Sequence, residues 1–163
     1  MKKVVKFGGS SLASAEQFKK VGDIIRADES RQYVVPSAPG KRFSGDTKVT
    51  DMLYSCYGAA IKEKNFTDLL CAIQDRYNEI IKGLNLTLSL DQDFEEIREN
   101  FGTKAGRDYA ASRGEYLNGK VMAAYLGFEF VDAAEVVRFD EEGNFDDAAT
   151  NDLLSARLKA IRY

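Results

Sequence analysis

The sequence predicts an α/β fold: a largely parallel sheet with flanking helices and a helical subdomain near residues 47–126. Three observations carry that expectation. Short valine-rich runs alternate with segments whose apolar residues recur at helical spacing, the pattern of strands joined by crossover helices. The first of these strands ends in "KFGGSS", residues 6–11, and leads at once into a helix start. Between residues 47 and 126 several amphipathic helices follow one another with no strand between them, more helix than the faces of a small sheet need.

Each element has its own signal. Lys3 to Phe7 is strand-like, with Val4 and Val5 expected inside. Ser14-Ala15-Glu16-Gln17 has the capping-box pattern, and Phe18, Val21 and Ile25 then share one helix face. Tyr33, Val34 and Val35 form a second short strand, and residues 36–45, rich in Pro, Gly, Ser and basic side chains, form a loop. Val49, Met52, Leu53, Cys56 and Ala60 follow helical spacing. Phe66, Leu69, Leu70, Ile73, Tyr77, Ile80 and Ile81 give the clearest amphipathic stripe in the chain. Residues 85–90 read as a turn, and Asp91 opens a short helix carrying Phe94, Ile97 and Phe101. Residues 104–126 are helical with an interruption expected near Gly114. Residues 128–131 and 136–139 read as a third and a fourth strand, and Glu142-Gly143-Asn144 as a turn. Thr150 is expected to cap a last helix with Leu154, Leu158 and Ile161 inward. That helix runs to Arg162-Tyr163 without a glycine cap or polar tail, which predicts a truncated chain. No repeat, low-complexity tract or linker divides residues 1–163, so they read as one lobe.

Composition narrows the chemistry. With 163 residues, 44% hydrophobic and 30% charged, the chain can bury a core. A net charge of −3 and no long basic run argue against nucleic acid as a partner. No apolar run approaches the ~18 residues of a membrane span, and Met1-Lys2-Lys3 leads straight into a strand without a signal-peptide core. Cys56 and Cys71 lie in helical patterns and read as reduced core thiols of a cytoplasmic protein. There is no histidine and no CxxC pair, which excludes Ser-His-Asp, Cys-His and His-metal centres and a structural zinc site within this chain. Catalysis falls to Lys, Arg, Asp, Glu, Ser, Thr, Tyr and backbone N–H groups, and no metal ligands are assigned.

Three stretches carry the functional signal. A strand, then Gly8-Gly9 and Ser10-Ser11, then a helix is how α/β folds seat phosphate: glycines let backbone N–H groups approach the anion, and the helix offers its positive end. Lys6 beside the turn is placed to neutralise a phosphoryl group in transfer. The glycine spacing fits neither GxGxxG nor GxxxxGK[ST], since Gly40-Lys41 is followed by Arg42. From the residues alone, a tight turn with a surface lysine stays an equal alternative. "SAPGKRFSGDTKVTDML", residues 37–53, again follows a strand end and opens a helix, at the sheet edge where open α/β sheets bind ligands. Thr50 there is a ligand contact, a first-turn helix residue, or both. Lys41, Arg42 and Lys48 make this loop basic, either a lid over an anion or a solvated loop. "SRGEYL", residues 112–117, sets the Glu115 carboxylate beside Gly114 in a helix, where it can pair with an ammonium group or face solvent.

Taken together and in this order, the three stretches resemble the aspartate kinase family. KFGGSS is similar to that family's nucleotide-phosphate signature, SAPG…TKVTDML to its second loop, and SRGEYLNGKVMAAYL to its SxGE helix. The resemblance implies transfer of the ATP γ-phosphoryl group to the β-carboxylate of L-aspartate, giving 4-phospho-L-aspartate and opening lysine, threonine and methionine synthesis. It implies ATP with Mg2+, and a homo-oligomer at full length. It makes Lys6 catalytic, puts Lys6, Phe7, Gly8, Gly9 and Ser10 along the nucleotide phosphates, and gives Ser37, Thr50 and Glu115 the aspartate. No general base is required, because the acceptor carboxylate is already ionised at neutral pH. Residues 136–152 match only loosely and contribute no assignment. The family's adenine-binding half follows later in its chains, so residues 1–163 read as an amino-terminal lobe, inactive alone. The KFGGSS start by itself also fits another amino-acid kinase such as a glutamate 5-kinase, although Thr50-Asp51 and SRGE count against it. A non-catalytic module that binds an amino acid or phosphate is the alternative from another class.

Overall fold

β1 (Lys3–Phe7) and β2 (Arg31–Pro36) pair in parallel, with Val4 opposite Tyr33, Val5 opposite Val34 and Lys6 opposite Val35. This is a computed structural model, and it describes residues 1–103 and 105–161. The expected helix end at Arg162-Tyr163, and Lys104 at the start of the expected 104–126 helix, lie outside the described residues.

Strand alternation decides which valines are inside. Val5, Phe7 and Val34 pack against the core, whereas Val4 is 69% and Val35 48% exposed, on the same face as Lys6. The expectation that Val4 is buried is therefore corrected: it is one residue from Val5 and so on the opposite face. After β1 a single 3-10 turn, Gly9–Leu12, leads into α1 (Ala15–Arg26), the crossover to β2. Ser14 caps α1, its hydroxyl accepting from the Gln17 N–H at 3.4 Å.

Four helices follow: α2 (Val49–Ala60), α3 (Thr67–Gly83), α4 (Asp91–Gly102) and α5 (Arg107–Leu126). Their stripes, with Phe18 and Val21 of α1, close one core around Leu53, Tyr77, Phe94, Phe101 and Leu117. Leu69 lies at the margin of the α3 stripe and is exposed. α5 runs unbroken through Gly114, which is buried, so the expected interruption there is absent.

The two cysteines differ. Cys56 is buried, and burial pushes its thiol up to about 12; Cys71 is exposed, not a core thiol as expected. Cys71 sits about 100° around α3 from Leu70, outside the apolar stripe. Iodoacetamide at pH 8 should therefore add one adduct per native chain, at Cys71, and a second only after urea unfolding. Two adducts on the native protein by intact mass would refute this burial pattern.

The chain divides into two compact units, Met1–Phe128 and Glu129–Tyr163. Within the second, α6 (Ala133–Val136) and α7 (Asp147–Lys159) are the regular elements. The third and fourth strands are not there among the described residues. Residues 128–131 pair with no strand. In the 136–139 stretch Val136 ends α6, and Phe139 makes only an isolated antiparallel bridge to Phe145. A strand needs a hydrogen-bonded neighbour, which an apolar run does not itself supply. Asp132, accepting from the Ala134 N–H at 2.9 Å, starts a helical turn where valines favour extension. The cap of α7 is Asp146, not Thr150; Thr150 is buried in the helix and accepts from the Arg138 N–H at 2.9 Å. The 142–144 turn is present, with the Asp140 carboxylate accepting from Glu142 and Asn144 and Gly143 at φ +83°. No helix of the described residues is long and apolar enough to cross a membrane.

Candidate functional site

The site begins where β1 and β2 end side by side, because parallel pairing delivers both following loops to one edge. The Ser37 N–H donates to the Phe7 carbonyl at 3.0 Å, and one step on the Gly40 N–H donates to the Gly9 carbonyl at 2.8 Å. This contact leaves no room for side chains. A Cβ on Gly40 would stand 2.6 Å from the Gly9 carbonyl carbon, and one on Gly9 would stand 2.8 Å from the Ala38 oxygen. Gly8 is different. Its φ is an ordinary −77°, and a Cβ there would meet nothing within 4 Å. Neither backbone strain nor internal packing accounts for glycine at position 8, and its effect is to leave open space in front of the turn. Ser10 is exposed within the 3-10 turn, whose first N–H groups have no partner inside it. Lys6, two residues before Gly8, is exposed and makes no ion pair among the described residues. Phe7 turns its ring to the core, so only its backbone borders the site.

α5 backs onto the second loop. The Asn118 amide donates to the Ser37 carbonyl at 2.6 Å, while its Oδ1 is buried without a hydrogen-bond partner among the described residues. Glu115 is exposed, and its Oε1 lies 3.5 Å from the Ala38 N–H. This approach depends on Gly114, where a Cβ would stand 2.7 Å from the Ala38 Cβ. Tyr77 of α3 holds the same point from behind, its hydroxyl donating to the Gly114 carbonyl at 2.7 Å. Burial raises the Tyr77 phenol well above its ordinary value, so it stays a proton donor. Thr50 lies half-buried in the first turn of α2, and the Val49 N–H donates to the Pro39 carbonyl at 3.1 Å. Gly9, Ser37 and Glu115 are thus linked through adjoining backbone. The side chains of Lys6 and Thr50 make no hydrogen bond to them.

The 40–48 loop is tied down. Arg42 pairs with Asp46 at 2.8 Å and Glu79 at 3.2 Å, and Asp46 also pairs with buried Arg76 at 3.3 Å. The Arg42 guanidinium holds the Asp46 carboxyl well below the usual carboxylate range. Of the loop's basic residues, Lys41 and Lys48 are the exposed ones without such pairs among the described residues. No group of three or more Asp, Glu, Cys or His residues among the described residues could hold a metal ion.

The sequence places Tyr77 only on the core stripe of α3, and it does not single out Arg76 or Asn118. Arg76 carried a signal: it stands among Ile73, Tyr77 and Ile80 on an apolar stripe, and a charge there must be paired.

Fold and site define an α/β lobe with a glycine-lined strand-to-helix turn open to a ligand and a carboxylate-bearing helix behind the facing loop. The chain belongs to the amino acid kinase family, whose model matches residues 1–159. Among curated proteins it is 40% identical to aspartokinase 3 of Bacillus subtilis, over 99% of this chain and 36% of that protein. It is 31% identical to the chloroplastic aspartokinase 1 of Arabidopsis thaliana, over 97% of this chain and 29% of that one. Among solved structures it resembles the aspartate kinase of Clostridium acetobutylicum with a TM-score of 0.93 and 46% identity, covering 98% of this chain and 37% of that one. The E. coli aspartokinase III solved with aspartate and ADP shares the fold, with a TM-score of 0.75 at 22% identity, over 97% of this chain and 38% of that one. The chain thus spans between 29% and 38% of the length of these relatives.

Proposed function

We propose that residues 1–163 form the amino-terminal lobe of an aspartate kinase catalytic domain, and that the full-length protein transfers the ATP γ-phosphoryl group to the β-carboxylate of L-aspartate. The observation that carries this reading is the junction of two loops and a helix: Gly40 on Gly9, and Glu115 at Ala38. The names of the Bacillus and Clostridium relatives point the same way.

Each residue has a task that its position supports. Gly8, Gly9 and Ser10, with the Phe7 backbone, line the phosphate path with backbone donors, and the open space before Gly8 admits the phosphates. Lys6 neutralises the charge that develops on the phosphoryl group in flight. Ser37, Thr50 and Glu115 hold aspartate, with Glu115 taking its ammonium group. The acceptor oxygen needs no proton removed, which suits a lobe, residues 1–163, without histidine. Mg2+ enters with the nucleotide, held by phosphate oxygens and water. Two free cysteines fit a cytoplasmic location, and a homo-oligomer at full length rests on the family resemblance.

The test is ADP release by the full-length protein, with aspartate and then glutamate as the only acceptor. Release with aspartate alone supports the reading. Release with glutamate alone moves the substrate to that of a glutamate 5-kinase, and release with neither overturns it. Within the same assay, Glu115→Ala removes a charge-assisted contact of about 1.5–3 kcal/mol, so KM for aspartate should rise roughly tenfold to a hundredfold with kcat little changed. An unaltered aspartate dependence would remove Glu115 from ammonium binding.

A further inference from the structure

We propose that Arg76 is a positioning residue: from α3, outside the ligand set, it sets the spacing of the glycine turn and the acceptor loop. The proposal rests on the kinase reading above for its kinetic arm, and on geometry for the rest.

Arg76 is only 4% exposed. Its guanidinium donates to the Gly40 carbonyl at 2.8 Å and to the Thr47 carbonyl at 3.0 Å, and pairs with Asp46 at 3.3 Å. Gly40 and Thr47 are the two ends of the loop excursion, so one side chain closes it. Asp46 balances the charge, and the fork is spent on the loop, so Arg76 is not a spare cation for a ligand.

The closure reaches the site through backbone alone. The Gly40 residue that gives its carbonyl to Arg76 gives its N–H to Gly9. Thr47 leads through Lys48 into Val49, whose N–H is bound to Pro39, and so to Thr50 at the start of α2. A shift of the guanidinium therefore moves the phosphate turn and the acceptor loop together. The next residue of the same helix, Tyr77, fixes Gly114 beside Glu115. Adjacent side chains of α3 thus hold both walls of the site. A lysine preserves the charge but not the planar fork that reaches two carbonyls at once.

The experiment compares Arg76→Lys and Arg76→Met with wild type in the full-length protein, below the Tm of each. It reads kcat, KM for aspartate and for ATP, and hydrogen exchange over residues 40–49. Arg76→Lys should speed exchange across 40–49, raise KM for aspartate roughly tenfold or more and lower kcat by a similar factor, since small misplacements carry costs of that order. Arg76→Met should move the same readouts further; if it does not fold, Arg76→Lys decides. A purely structural arginine would reduce kcat only in proportion to the folded fraction, with KM and exchange unchanged, and that result overturns the proposal. So does wild-type behaviour of Arg76→Lys. If wild type releases no ADP with aspartate, the kinase reading fails on its own; exchange over 40–49 then decides, faster in Arg76→Lys supporting the positioning role and unchanged refuting it.

Discussion

Lys6→Ala is expected to lower kcat of the full-length protein by about two orders of magnitude while leaving its stability unchanged. The two halves of that expectation have separate causes. Lys6 is exposed on β1, opposite Val35, and makes no ion pair among the described residues. Truncating such a side chain typically changes stability by no more than about 0.5 kcal/mol. In the proposed reaction its ammonium meets charge that develops only as the phosphoryl group leaves the nucleotide. Loss of one such contact costs about 3 kcal/mol, which is a factor of ~10² in rate. KM for aspartate should stay near wild type, because the proposed reading has the acceptor held from α5 and the second loop. The check is steady-state ADP release with a melting curve of the same preparation. A kcat within twofold of wild type would return Lys6 to an ordinary surface lysine.

Gly40→Ala should damage both fold and site. The new Cβ would lie 2.6 Å from the Gly9 carbonyl carbon and 2.7 Å from the Ser10 nitrogen. Both are backbone atoms, so no rotamer change relieves the contact. Forced insertions of this kind cost about 1–3 kcal/mol, and the Gly40–Gly9 hydrogen bond opens with them. For a domain of this size the Tm should fall by roughly 3–10 °C. Activity should fall by ~10² or more as the phosphate turn and acceptor loop separate. Gly8→Ala is the matched control. Its Cβ enters open space at an ordinary φ, so the Tm should hold; if the phosphates lie there, KM for ATP rises. Gly40→Ala with a native Tm, or Gly8→Ala with a lowered one, would show that the packing around these glycines has been misjudged.

Much of the local structure was legible because its causes are local. Ser14 and Gln17 announce the start of α1 from a spacing of three residues, and the α3 stripe records a face that must be covered. The glycine-serine turn after β1 was visible as a motif. The two missing strands show the limit of the same method. Residues 128–131 are apolar enough, but pairing is a property of a neighbour, and Asp132 turns the chain into α6. Gly114 misled in the opposite direction: read as a helix break, it is a packing glycine inside an unbroken helix, small because Ala38 lies against it.

By itself, then, the sequence determined the α/β class, the six longer helices, the glycine-serine turn after β1, and the absence of histidine from residues 1–163. These follow from periodicity, capping and composition, which act within a turn or two of chain. Tertiary structure alone decided that Gly9 and Gly40 touch, that Asn118 reaches Ser37 across 81 residues, and that Arg76 reaches Gly40 across 36. It also decided that Cys56 is shut in while Cys71 is open. Such contacts depend on how closely backbones approach once β1, β2, α3 and α5 have packed, and no residue spacing along the chain encodes that distance.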